Sequence, residues 1–153
     1  MNEGGIRVPM IARWPDRIKA GGVSDLPWYF PDVMPTLAEL ADISKEVPED
    51  TDGISIVPTL LGMGAQKEHE YLFWESGKRA VRMGKWKGIG APDNVALYDL
   101  SKDIAEKNNL AAQHPELAKK LGRFMAEAWV KPRSQKDDGK YTGTSGKHKE
   151  KTR

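Results

Sequence analysis

The stretch Glu3-Gly4-Gly5-Ile6-Arg7-Val8-Pro9-Met10-Ile11-Ala12-Arg13-Trp14-Pro15 decides how this chain is read. Two adjacent glycines permit a turn with positive φ, which a residue bearing a Cβ resists. The run over 6–14 is rich in residues that suit a strand, and Pro15 closes it. A strand entered through a Gly-Gly turn with almost nothing before it looks like the continuation of something larger.

Outward from that strand, 16–25 reads as a loop centred on Gly21-Gly22. A helix is expected over 33–41, with Asp32 as its N-cap. That places Pro35 at the third helical position, where its missing N–H would have had no partner anyway. Val33, Met34, Leu37, Leu40 and Ala41 share one helical stripe and predict a core face. Residues 42–52 are polar and acidic, Asp52-Gly53 is a turn, and 54–61 is a short apolar segment broken by Pro58, with another loop over 62–67.

The texture then changes. Residues 70–75 read as a strand, and 79–83 with 86–89 as a hairpin around Gly84-Lys85, where glycine at the first central position suits a type II′ turn. That two-residue loop sets Met83 opposite Trp86 and Arg82 opposite Lys87. After a loop over 90–94 comes a short strand over 96–100. A polar connector over 99–109 follows, with one helical turn expected at 104–107. The last ordered element is a helix from Pro115 to about Val130, opened by proline and Glu116 and carrying the stripe Leu117, Leu121, Phe124, Met125, Ala128. Gly122 weakens it by about 1 kcal/mol relative to alanine. Pro132 stops it. The fold class is therefore α+β: a strand and helix poorly matched to the rest, then about four short antiparallel strands packed by a C-terminal helix. The organisation expected is 1–67, 68–132 and a disordered tail over 133–153.

With 153 residues, 39% hydrophobic and 30% charged, the chain affords one modest core. No run approaches the ~20 apolar residues of a membrane span, and no secretory signal opens the chain. Zero cysteines exclude disulfides, a thiolate nucleophile and cysteine metal sites. Positions 133–153 hold seven basic residues against three acidic ones, so the overall charge of +2 is set by this tail. Counterion release would let such a tail bind a polyanion, but with Tyr141 as its one aromatic there is little to stack on bases, and specific nucleic-acid binding is not expected.

Chemistry-bearing motifs are sparse. His69 and His114 lack a second ligand at metal spacing, and His69 reads as exposed or lightly packed. The acidic group Glu46, Glu49, Asp50, Asp52 lacks the alternation of a calcium loop and reads as a solvated loop. No nucleophile elbow, P-loop or dinucleotide fingerprint is present. The Arg82/Lys87 pair stands out because like charges directly opposite each other are unfavourable. Either something anionic lies across them, an acidic protein neighbour or a ligand, or both side chains splay into water. No catalytic or metal residue is assigned.

Several segments, in order, resemble the sulfatases of the formylglycine-dependent type, within the alkaline-phosphatase-like superfamily. Glu3-Gly4-Gly5-Ile6-Arg7-Val8-Pro9 with Arg13-Trp14-Pro15 is similar to that family's Glu-Gly-Gly-x-Arg-Val-Pro segment. Asp32-Val33-Met34-Pro35-Thr36-Leu37 resembles its Asp-x-x-Pro-Thr-Leu helix, and Asp52-Gly53-Ile54-Ser55 with Leu60-Leu61-Gly62 the segment after it. Residues 79–87, Leu97-Tyr98-Asp99-Leu100 and Glu106-Lys107-Asn108-Asn109-Leu110 resemble its C-terminal subdomain. The resemblance implies the C-terminal part of an alkaline-phosphatase-like α/β fold, in which 6–14 would join a large mixed sheet. It implies that nucleophile, calcium ligands and sulfate-binding lysines and histidines lie upstream, so formylglycine and calcium belong to the intact enzyme, and this chain is expected to be inactive alone. No Cys/Ser-x-Pro-x-Arg motif occurs in it. By the same resemblance Arg7 is a buried or semi-buried pairing residue, Asp32 a cap and Tyr98 a packing residue of the small sheet, and substrate contacts are sought at His69, Trp74 and Glu75. The partner implied is an N-terminal sulfatase half, and a periplasmic or secreted location suits the intact enzyme. The alternative is an accessory module holding sulfated glycans through Arg82, Lys87 and the basic tail. On either reading the strand at 6–14 and the helix at 33–41 are expected to expose apolar faces meant for a sheet the chain lacks.

Overall fold

The computed structural model describes residues 1–130; the tail expected over 133–153 lies outside them. The hairpin at Gly84-Lys85 anchors everything else. Gly84 takes φ 56 while Lys85 is not among the positive-φ residues, which is the type II′ pattern. It joins β2 (Lys78–Met83) to β3 (Trp86–Ala91) with Met83 opposite Trp86 and Arg82 opposite Lys87. Flanked by β1 (Leu72–Ser76) and β4 (Asn94–Asp99), these strands form one antiparallel sheet in the order β1-β2-β3-β4. The expected 90–94 loop is tighter than that: β3 runs on to Ala91, which pairs with Asn94 across Pro92-Asp93.

Alternation gives the sheet two faces. Phe73, Val81, Gly88 and Leu97 form one cross-strand row. That face meets the C-terminal helix α4 (Pro115–Ala128), and Val81, Leu97, Leu121, Phe124 and Met125 form the core between them. The helix stripe is the expected one. Gly122 has a packing reason: a Cβ there would stand 2.1 Å from the Pro92 carbonyl oxygen, so only glycine lets helix and turn close together. On the opposite face runs the row Leu72, Arg82, Lys87, Tyr98, beside Trp74, Ala80, Ile89, Ala96.

The first third of the chain departs from expectation. Residues Glu3–Ile6 form a single helical turn, α1, with neither glycine at positive φ. No strand forms over 7–14. A strand needs a ladder partner, and these residues pair with none of the four strands. Ile11 is 92% exposed, and Val8, Met10 and Trp14 are exposed with it. Arg7 is exposed as well, not buried. The helix α2 (Val33–Leu40) is present, but its buried residues are Thr36 and Ala38. Met34 and Leu37, placed in a core by periodicity, are 48% and 59% exposed. The other side of α2 packs on α3 (Val57–Leu61), where the apolar 54–61 segment becomes a helical turn with Pro58 in its first turn and Gly62 closing it at φ 66. Residues 104–107 make a turn without a helix, held by Asp103, whose carboxylate accepts the N–H groups of Lys107 and Asn108. Among the described residues no helix is long and apolar enough to cross a membrane.

Candidate functional site

Two polar clusters sit on the face of the sheet away from α4. The first is built on Asp32, which is fully enclosed. Its Oδ2 accepts the Tyr29 N–H at 3.0 Å, and its Oδ1 accepts the Ile54 N–H at 2.7 Å and lies 2.8 Å from His69 Nε2. In the Nε2–H tautomer of His69 that last contact is a hydrogen bond donated to the carboxylate. Asp32 stands at the expected N-cap position of α2, but its side chain caps no N–H of that helix: it ties the start of α2 to the 54 segment and to the approach to β1. His69 is correspondingly not a loosely packed surface residue, its side chain being only 12% exposed. Tyr29 meets His69 and Trp74 edge to face, with ring centroids 5.1 and 6.1 Å apart. Burial, with smaller contributions from Asp52 and Asp32, pushes the Tyr29 phenol up to about 12.

His69 and Trp74 are therefore brought together through Tyr29. Glu75 is not with them, because consecutive strand residues point to opposite faces. Its Oε1 accepts the Trp129 indole N–H at 3.1 Å, and Arg79 lies 3.7 Å from it while covering the Trp129 ring. Arg82 and His69 both line a small cavity of about 40 Å³ with Leu26, Pro27 and Leu72.

The second cluster answers the Arg82/Lys87 question. Lys87 is 0% exposed. Its Nζ donates to Glu3 Oε1 at 2.8 Å and lies 2.7 Å from Glu106 Oε1, an ion contact outside good hydrogen-bond angles. Glu106 Oε2 accepts the backbone N–H of Glu3 at 2.9 Å. Arg82 stands at the rim, Nη1 3.9 Å from Glu3 Oε2, with its Nε donating to the Gly84 carbonyl. The anionic neighbour across the two cations is the chain's own Glu3 and Glu106. Sequence spacing carries no trace of this, since Glu3 and Lys87 are 84 positions apart.

A third pair, at the sheet's end, is structural. Lys85 Nζ donates to Asp99 Oδ2 at 2.8 Å, and with Ser101 it draws the Asp99 carboxyl down to about 2. Among the described residues no group of three or more His, Asp or Glu side chains is placed to hold a metal ion.

Comparison with known proteins gives this arrangement its setting. The family model for the N-sulphoglucosamine sulphohydrolase C-terminal region matches residues 1–131. The N-acetylgalactosamine-6-O-sulfatase of Bacteroides thetaiotaomicron is 33% identical over 143 residues, covering 80% of this chain and 27% of that protein. Human arylsulfatase A is 35% identical over 153 residues, covering 78% and 30% respectively. Among solved structures, a sulfatase from Bacteroides fragilis superposes with a TM-score of 0.58 at 27% identity, over 74% of this chain and 27% of its own. The chain thus spans under a third of the length of these relatives. Ordered segments, a four-stranded sheet closed by one helix and the match across all the described residues agree: the chain belongs to the sulfatases, as their C-terminal portion.

Proposed function

We propose that this chain supplies the C-terminal subdomain of a sulfuric ester hydrolase and does not turn over sulfate esters by itself. The observation that carries the reading is the family match over residues 1–131 in relatives more than three times as long. No cysteine and no Ser-x-Pro-x-Arg motif is present from which the family's nucleophile could be made. The chain's contribution is then to close one side of a catalytic centre built elsewhere. His69, steered by Asp32, and Trp74, both resting on Tyr29, are the side chains proposed to meet substrate. Glu75 is committed to Trp129 and Arg79, so it enters the proposal only through them.

The test has two arms. Purified chain is incubated with 4-nitrocatechol sulfate and calcium, and no turnover above a heat-treated control is expected; turnover overturns the claim of inactivity. The chain is then joined in place of the C-terminal portion of the Bacteroides thetaiotaomicron relative, and aryl sulfate hydrolysis is expected to return. A folded chimera without hydrolysis counts against the subdomain reading.

A second reading, an accessory that holds sulfated glycans, draws on the seven basic residues within 133–153. The enclosure of Lys87 removes it from such a surface. Retention on heparin that salt reverses, and that deletion of 133–153 abolishes, would support it.

A further inference from the structure

Three of the segments quoted for the family resemblance each send one charged group to the same enclosed point: Glu3 from the Glu-Gly-Gly segment, Lys87 from β3, and Glu106 from the connector after β4. Glu3 is held twice. Its carboxylate takes the Lys87 ammonium, and its main-chain N–H is taken by the Glu106 carboxylate. One contact would fix where the residue sits; two, on side chain and main chain, also fix the direction in which the backbone passes through it. The turn that follows is built on the same point, with the Arg7 N–H donating to the Glu3 carbonyl at 2.8 Å. Glu106 adopts φ 54, a left-handed conformation that residues with a Cβ rarely take, and that conformation belongs to the segment presenting its carboxylate inward. A salt bridge serving cohesion alone needs neither the second carboxylate nor the main-chain contact.

We propose that Lys87 and Glu106 are positioning residues, a two-point clamp by which the C-terminal sheet sets the line of the backbone through Glu3. Its catalytic consequence rests on the sulfatase reading above: in the joined enzyme the clamp orients the segment immediately preceding Glu3 against the small sheet. The clamp itself is independent of that reading.

The test separates the two. In this chain, Glu3→Ala and Glu106→Ala each leave Lys87 one carboxylate partner, so the sheet is expected to remain folded. Amide hydrogen exchange at residues 3–7 is expected to quicken about tenfold or more, with β2 and β3 unchanged. Unchanged protection at 3–7 in both variants overturns the clamp. In the chimera described above, the same substitutions are expected to lower kcat by about ten- to hundred-fold with KM nearly constant, because misplacement acts on alignment rather than on binding. A loss that appears only as lowered thermal stability, with kcat restored on cooling, overturns the positioning role. A folded chimera with no turnover before any substitution overturns the sulfatase reading and the catalytic part with it, while hydrogen exchange still decides the clamp.

Discussion

Removing the ammonium of Lys87 is the sharpest perturbation this structure offers. In Lys87→Met the stem is replaced by an apolar side chain of similar length, and the carboxylates of Glu3 and Glu106 are left enclosed. Glu3 Oε2 has no hydrogen-bond donor among the described residues, and its nearest cation, Arg82 Nη1, is 3.9 Å away. Breaking a buried pair by deleting one partner costs about 3–5 kcal/mol, because the remaining charge is desolvated and uncompensated. Against a typical total of about 5–15 kcal/mol this is a large share. For a chain of this size it corresponds to a fall in Tm of roughly 6–20 °C. The assay is thermal and urea unfolding followed by circular dichroism. The control is the triple variant Lys87→Met, Glu3→Gln, Glu106→Gln, which removes all three charges and is expected to recover most of the loss, since replacing a whole buried ionic group is often neutral. A Tm change in the single variant below about 4 °C, or a triple variant no better than the single, would refute the reasoning.

Other outcomes follow from the same geometry. Asp99 is drawn down from 3.8 to about 2 by Lys85 and then Ser101, so its contribution to stability is present above about 3.8 and is lost as pH falls toward 2. Asp99→Asn should flatten that part of the acid-unfolding profile, and an unchanged profile would count against the pairing. Gly122→Ala places a Cβ 2.1 Å from the Pro92 carbonyl oxygen, so the helix-propensity gain of about 1 kcal/mol is expected to be exceeded by an overpacking cost of about 1–3 kcal/mol, read as a lower Tm. The exposed apolar residues Val8, Ile11, Met34 and Leu37 should bind a hydrophobic dye, and Ile11→Lys with Leu37→Lys should reduce the dye signal without lowering Tm. Absence of dye binding by the unsubstituted chain would overturn that.

What was legible in the sequence was local. The register of β2 on β3 followed from one glycine at a two-residue turn, and the buried face of α4 from a 3.6-residue period carried by large side chains. What was not legible depended on partners far along the chain or outside it. The period of α2 correctly marks an apolar stripe, yet Met34 and Leu37 on it face solvent because periodicity says which side is apolar and not whether anything covers it. Residues 7–14 have strand composition but pair with none of the four strands. His69 looked solvent-facing because Asp32, its partner, is 37 positions away. The Arg82/Lys87 apposition was the one local oddity that pointed to the buried charge cluster, and it required two acids 103 positions apart to resolve it.

The two margins of the sheet are not equivalent. Along β4 the outward N–H of Leu97 donates to the Asn109 side chain, and its carbonyl accepts from the Leu110 N–H, while the Asp99 carbonyl takes the N–H groups of Lys102 and Asp103. Along β1 no backbone of the described residues takes the corresponding place beside Leu72–Ser76. An open margin is a template for another strand. Among the described residues β1 is the margin without a backbone neighbour, so it is there that a strand of a second molecule would add edge to edge.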